Sequence, residues 1–322
     1  MINLVTHLPT TIRLAKKILT GVCFIAFLGN SQICTADATS DAESIFDNFL
    51  LPMQLSAFNE INKSYSEQPE LKEGLEFINA VDFPSIFVNI RPGMIEIIKS
   101  NLSKNELKYL NHYVNQPEVK KHFSLATQHK SYEKAFDLLS DDEKAVVNKK
   151  DPAMEISITP KLLAMNPQIK SLVAYGALDA LDPHREMLEK KHTLDELCQM
   201  AFDKAIYNAS FLACGLGHKH NHLISSKIFA KMMWRGDYLE KDIPKALSIY
   251  QQLLSQDTDP EVAFYYGVLH FNMATDPEIK RQAACWIKLS SSKIYNNAVG
   301  FYRDIKDDYP NLPNHCQFIK SN

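Results

Sequence analysis

Between Ser226 and Ile287 the chain carries the same residue types twice, at one fixed interval. Ser226, Phe229, Ala230 and Trp234 are matched 37 residues later by Ala263, Tyr266, Gly267 and Phe271. Ala246, Ile249 and Tyr250 are matched at the same interval by Ala283, Trp286 and Ile287. A fixed interval of this size marks a repeated helical hairpin, a unit that cannot bury its apolar face alone and must stack on its neighbours. Small residues (Ala230, Gly267, Ala246, Ala283) let helix axes approach. Large ones (Phe229, Tyr266, Tyr250, Trp286) fill the volume beside them. A degenerate earlier copy ends at Ala209, and a degenerate later copy starts at Ala298.

The same residues resemble a known family. Ala263-x-x-x-Gly267 and Asp242-Ile243-Pro244-Lys245-Ala246-Leu247-Ser248-Ile249-Tyr250 are similar to the Sel-1-like repeat, a longer relative of the tetratricopeptide repeat. The chain departs from the pattern at Ala230, where the family prefers Gly, and at Leu289-Ser290, where it has Ala-Ala. The resemblance covers less than half of the chain. It implies a scaffold that binds a protein or peptide in a helical groove, with no activity of its own. In bacterial members it implies a link to envelope function or host contact.

Apolar residues recur with helical rather than alternating spacing, and Gly is scarce at 10 residues. Both features predict an all-α protein: a helical domain over residues 39–190, then a short α-solenoid of hairpins over 191–322. The formal net charge is −3. Without residues 1–38, which hold Arg13, Lys16, Lys17 and Asp37, it is −5. A mildly acidic chain with no basic stripe argues against a nucleic-acid partner.

The first 38 residues read as a secretory signal. Arg13, Lys16 and Lys17 form a positive flank, Ile18 to Leu28 is an uncharged apolar run, and Ala36-x-Ala38 offers a cleavage site. The run is short for a membrane span, and no stop-transfer segment follows, so the mature chain is expected to be periplasmic or secreted. Ser31-Gln32-Ile33 before Cys34 is a poor lipoprotein box, and lipidation is not expected.

In the first domain Ile45, Phe46, Phe49 and Leu50 have one-face spacing. Prolines are expected to interrupt the helices that follow, at Pro84, Pro92, Pro160 and Pro167. Leu102-Ser103-x-x-Glu106 and Leu139-Ser140-x-x-Glu143 predict two helices opened by capping boxes. The first of these, with Leu107, Tyr113 and Gln116-Pro117, resembles a family of exported bacterial domains of unknown function. The charged stretch Glu186 to Thr193 is the expected boundary.

Beyond it, Leu194 to Cys214 predicts one continuous helix stopped by Gly215-Leu216-Gly217. Asp259-Pro260 and Asp276-Pro277 open the next helices, with Asp as cap and Pro at the first helical position. The missing cover for the hairpins is expected from Leu197, Ala201 and Ala205 on one side and Val299 and Tyr302 on the other, facing Phe229 and Trp286. Residues from Tyr309 on read as an irregular tail.

Candidate chemistry is sparse. His218, His220 and His222 alternate and would gather on one side of an extended loop as weak metal candidates. No Cys or carboxylate within a few residues completes a shell, so no metal is expected. Cys198, Cys214, Cys285 and Cys316 remain after cleavage, an even number that favours disulfides in an oxidising compartment. One continuous helix would hold Cys198 and Cys214 ~24 Å apart, so each would have to pair with Cys285 or Cys316. Signatures of metalloprotease, serine hydrolase, phosphate-loop and dinucleotide-binding sites are absent, so neither an enzyme nor a cofactor is expected. The expected function is a non-enzymatic scaffold for a protein or peptide partner. Its expected binding residues, on the first helices of the hairpins, are Lys227, Lys231, Trp234, Tyr265, His270 and Asn272. The alternative is an enzyme of unfamiliar type with a pocket in the first domain.

Overall fold

The computed structural model describes residues 38–51, 83–129, 131–149, 152–189, 192–313 and 315–319. The expected leader lies outside these, apart from Ala38. Among the described residues the protein is all-α, and none of its helices is long and apolar enough to cross a membrane. The chain forms two compact units that divide between Leu181 and Asp182.

In the first unit, α1 (Ala38–Ile45) continues as a π-helical turn over Phe46–Leu50. Ile45, Phe46, Phe49 and Leu50 are all buried. Helix α2 (Phe83–Asn101) is tied to it by Arg91, which reaches Asp47 at 2.9 Å and Glu43 at 3.3 Å. Helices α3 (Lys104–Val114) and α6 (Asp141–Val147) open on capping boxes, Ser103 with Glu106 and Ser140 with Glu143. Between them lie α4 (Pro117–His129) and α5 (Tyr132–Asp137). The unit ends in the long α7 (Pro152–Leu181).

The prolines do not interrupt as expected. Pro92 lies inside α2, and Pro160 and Pro167 lie inside α7. A proline inside a helix removes one hydrogen bond and disfavours the turn before it. Packing between α2 and α7 opposes that loss. Ile86, Ile90, Met94 and Ile98 bury one face of α2. A side chain on Gly176 of α7 would meet Ile90 at 2.6 Å, so the glycine leaves the space that Ile90 fills.

The second unit opens on a short turn and α8 (Arg185–Leu188), then runs as successive hairpins: α9 (Leu194–Asp203) with α10 (Tyr207–Lys219), α11 (Leu223–Arg235) with α12 (Ile243–Gln256), and α13 (Pro260–Met273) with α14 (Pro277–Ser292). Helix α15 (Asn296–Ile305) and an extended strap end the unit. The 37-residue interval persists in burial. Phe229 and Tyr266, Ala230 and Gly267, Ala246 and Ala283, Ile249 and Trp286, and Tyr250 and Ile287 are buried on both sides of each match. Trp234 and Phe271 are half-buried on both. A side chain on Gly267 would meet the Ala283 carbonyl oxygen at 2.9 Å, which is how closely α13 and α14 approach. Asp242, Asp259 and Asp276 each cap a helix with a proline in its first turn.

Two expectations fail here. Leu194 to Cys214 is not one helix: it turns back at Ala205, whose φ of 56° lies in the left-handed region. The N–H of Ile206 bonds to Ala201 and that of Ala205 to Phe202, the paired bonds of a Schellman stop. Gly215-Leu216-Gly217 does not stop α10, which runs on to Lys219. Gly217 serves close packing, since a side chain there would strike Ser225 at 2.4 Å. The helix stops instead through Asn221, at φ 61°.

The cover of the array also differs in part. Leu197 and Ala201 are buried, but Ala205 is exposed at the turn and Val299 is exposed on α15. Helix α15 instead packs Ala298, with Phe301 and Tyr302, against Phe264 and Ile287. Trp286 is covered by the strap.

Candidate functional site

The turn at Ala205 brings Cys198 and Cys214 to a Cα separation of 4.7 Å, and they form a disulfide. Cys285 bonds to Cys316. The pairing argued from an unbroken helix is therefore corrected, because the helix between the first two cysteines doubles back.

The second disulfide fastens the C-terminal strap to the middle of α14. Around it, side chains of the array meet strap backbone. Arg281 donates to the carbonyl of Asn311 at 3.1 Å, Lys288 to that of Leu312 at 3.3 Å, and the Trp286 indole to that of Gln317 at 2.9 Å. The N–H of Ile319 donates to the Tyr266 hydroxyl at 3.0 Å. Phe318 stacks on Trp286 with ring centres 5.4 Å apart.

Beside the strap lies an open groove of about 810 Å³. One wall is α12, with Leu247, Ser248, Gln251, Gln252 and Ser255. These positions recur three and four apart and so share one helix face. His270, Met273 and Ala274 from the end of α13 and Ile279 from α14 also line it, and Phe318 and Ile319 of the strap form the other wall. Amide and hydroxyl side chains on one wall and apolar ones on the other suit a chain with both backbone and side chains to place. Gln252 is spent in part on Asn221, at 3.3 Å. Among the described residues, the side chains of Ser248 and Gln251 make no hydrogen bond.

The six expected binding residues do not form one surface. Only His270 lines the groove. It packs edge-on to Tyr266, with centres 4.6 Å apart, and burial pushes its pKa down, so it is neutral. Asn272 is exposed and does not line the groove. Lys227 is half-buried between Asp259 at 2.9 Å and Glu261 at 3.3 Å. Burial would lower its pKa, but the two carboxylates outweigh that and raise it.

Lys231, Trp234 and Tyr265 share an aromatic face. The Lys231 ammonium lies 5.7 Å from the centre of the Phe202 ring and 5.8 Å from that of Tyr265. Trp234 packs on Tyr265 at 5.8 Å, and Tyr265 stacks on Tyr250 at 6.0 Å. The Trp234 indole nitrogen and the Tyr250 hydroxyl are buried, and neither has a hydrogen-bond partner of full geometry. Burial pushes the Tyr250 hydroxyl well above its usual range, and the neighbouring indole offsets only part of that.

The three histidines do not converge. His218 stacks on Phe229 and bonds Ser226 at 3.1 Å, and burial, with help from Lys245, lowers its pKa. His220 sits between Asp182 at 2.5 Å and Arg185 at 2.9 Å. A guanidinium only donates, so Nδ1 of His220 accepts and its proton sits on Nε2, toward Asp182. Lys219 and His220 together hold the Asp182 carboxyl below its usual range. His222 lies 3.7 Å from Glu189 and 4.0 Å from Asp195. Among the described residues, no three His, Cys, Asp or Glu are placed to share a metal ion.

In the first unit the best-developed polar cluster is Glu106. Burial alone would raise its pKa, but Lys161 at 2.6 Å, Ser157 at 2.6 Å and the capping box bring it down to about 2. It is an ionised carboxylate with its oxygens occupied, suited to holding α3 on α7 rather than to proton transfer.

Sequence reasoning missed the groove's two walls. The amide and hydroxyl stripe of α12 was legible as spacing. The strap had no periodic signal, only an unpaired cysteine in a tail. Comparison with family models, with curated proteins and with solved structures returned no match.

Proposed function

We propose that this chain is an exported, non-enzymatic binding protein, and that its hairpin array takes an extended segment of a protein partner. The observation that carries the reading is the groove of about 810 Å³ with the α12 stripe on one side and an extended strap on the other. Its size fits several residues of extended chain, and its walls offer both hydrogen-bonding and apolar surface. The Sel-1-like resemblance supports the same reading. Two disulfides support export, since such bonds persist in oxidising compartments.

A photo-crosslinking residue at Ser248, compared with one at Arg303 on α15, tests the groove in cells. The expected result is a discrete protein adduct from Ser248 alone, lost when Ser255→Trp fills the groove. Equal labelling from both positions, or an adduct indifferent to Ser255→Trp, overturns it. Export is tested by sequencing the mature N-terminus, expected near Asp37 or Thr39. Recovery of intact Met1 protein in the cytosol overturns that part.

A further inference from the structure

The array holds the strap through its main chain. The four polar contacts named above all go to its backbone: three carbonyls and one N–H, from Arg281, Lys288, Trp286 and Tyr266. Contacts of this kind recognise an extended main chain and carry no demand for a particular sequence. Leu312 is buried near the start of the strap, and two adjacent side chains at its other end meet the aromatic surface. Phe318 stacks on Trp286 and meets Tyr266 edge-on at 6.1 Å, and Ile319 is 3% exposed. Phe318 itself stays 38% exposed, so it lies on the array rather than inside it. Phe318 and Ile319 are also a wall of the groove, so removing the strap would join the groove to the Trp286 surface.

From this geometry we propose that the strap, through its described residues 311–313 and 315–319, is an internal ligand. The surface beneath it binds, in trans, an extended peptide carrying an aromatic residue followed by an aliphatic one. The inference rests on the peptide-binding reading and names the chemistry of the partner. The Cys285–Cys316 bond is the latch. A tethered segment competes at an effective concentration in the millimolar range, so a free peptide of modest affinity does not displace it. A dithiol reductant opens the latch: its two electrons and two protons go to the two sulfurs, giving two thiols, and the reductant is left as a disulfide.

The test uses the full chain and a labelled synthetic peptide of sequence Asn311 to Ile319 carrying Cys316→Ser, read by fluorescence anisotropy. Two proteins loosen the strap from its own side and leave the array's residues intact: Cys316→Ser, and Cys316→Ser with Phe318→Ala. The expected result is little binding to the oxidised wild type and binding at least about tenfold tighter to the loosened chains. A peptide with Phe318→Ala should lose about tenfold again. If neither loosened chain binds more tightly than wild type, if the altered peptide binds equally, or if both variants unfold, the strap is a structural cap and the proposal fails. A Ser248 adduct without peptide binding would remove only the internal ligand. Loss of the Ser248 adduct with peptide binding intact would remove only the groove reading.

Discussion

The first unit ties its elements across long stretches of sequence through ion pairs: Arg91 of α2 reaches Asp47 and Glu43, and the more occluded Glu106 of α3 reaches Ser157 and Lys161 of α7. The second unit has such a link too, from half-buried Lys227 of α11 to Asp259 and Glu261 at the start of α13. It adds a repeated apolar register, left-handed turns between helices, and two disulfides. The contrast shows two ways to orient helices. An ion pair around an occluded carboxylate specifies one partner and makes stability pH-dependent. A repeated register specifies a partner for every hairpin and needs covalent or capping help at its ends. Each of the following experiments removes one device from one unit and asks whether the other unit responds.

Loss of a disulfide should have the largest effect. Cys198 and Cys214 are fully buried, and their bond closes a 16-residue span. Replacing both with Ala should destabilise the second unit by about 3 kcal/mol. Hydrogen exchange should accelerate in α9 and α10 while α2 and α7 keep their protection. Equal loss in both units would show that the chain unfolds as a single body.

Glu106→Gln should come next and should act only on the first unit. The folded pKa of Glu106 lies below its ordinary value of 4.5, at about 2. A carboxylate lowered in this way stabilises fully above its unfolded value, and that stability is lost as pH falls toward the folded one. The variant should lose roughly 2–3 kcal/mol at neutral pH. It should also lose the wild type's fall in stability between about pH 4.5 and pH 2. Urea melts at several pH values check both, and an unchanged acid limb would show that Lys161 does not matter.

The register of the hairpins should resist smaller changes. Gly267→Ala places a methyl 2.9 Å from the Ala283 carbonyl oxygen, a backbone atom that cannot move alone. The expected loss is about 1–3 kcal/mol. Ala230→Gly at the matched position makes no clash and should lose only about 1 kcal/mol, the intrinsic difference between the two residues in a helix.

How much of this was legible varies with the physics involved. The all-α class, the hairpin register and the Asp-Pro starts were readable, because apolar spacing and capping chemistry are local. The capping boxes at Ser103 and Ser140 were readable for the same reason. Pro92, Pro160 and Pro167 misled, because their local penalty is offset by packing between α2 and α7, which lie far apart in sequence. The strap was invisible, since backbone carbonyls that accept from Arg281, Lys288 and Trp286 leave no residue pattern. The groove needed both the strap and α12 in place before it existed.

The helix ends of the second unit explain the remaining error and give the smallest prediction. Four of its turns pass through a left-handed residue: Ala205, Asn221, Gly236 and Ile294. Only one is glycine, so a search for glycine stops misses Ala205 and Ile294, and with Ala205 the disulfide that its turn makes possible. Ala205 and Ile294 are exposed, and both sit in Schellman stops. A side chain in the left-handed region costs about 1–2 kcal/mol, which glycine does not incur. Ala205→Gly should therefore stabilise the second unit by somewhat less than that, about 1 kcal/mol, since glycine also frees the unfolded chain. Ile294→Gly should gain at least as much, because a β-branched residue is the worse fit to positive φ. The gain should be confined to the second unit, and it should persist in the Cys198→Ala/Cys214→Ala background. If Ala205→Gly gained nothing without the disulfide, the covalent bond rather than the backbone stop would be what holds α9 against α10.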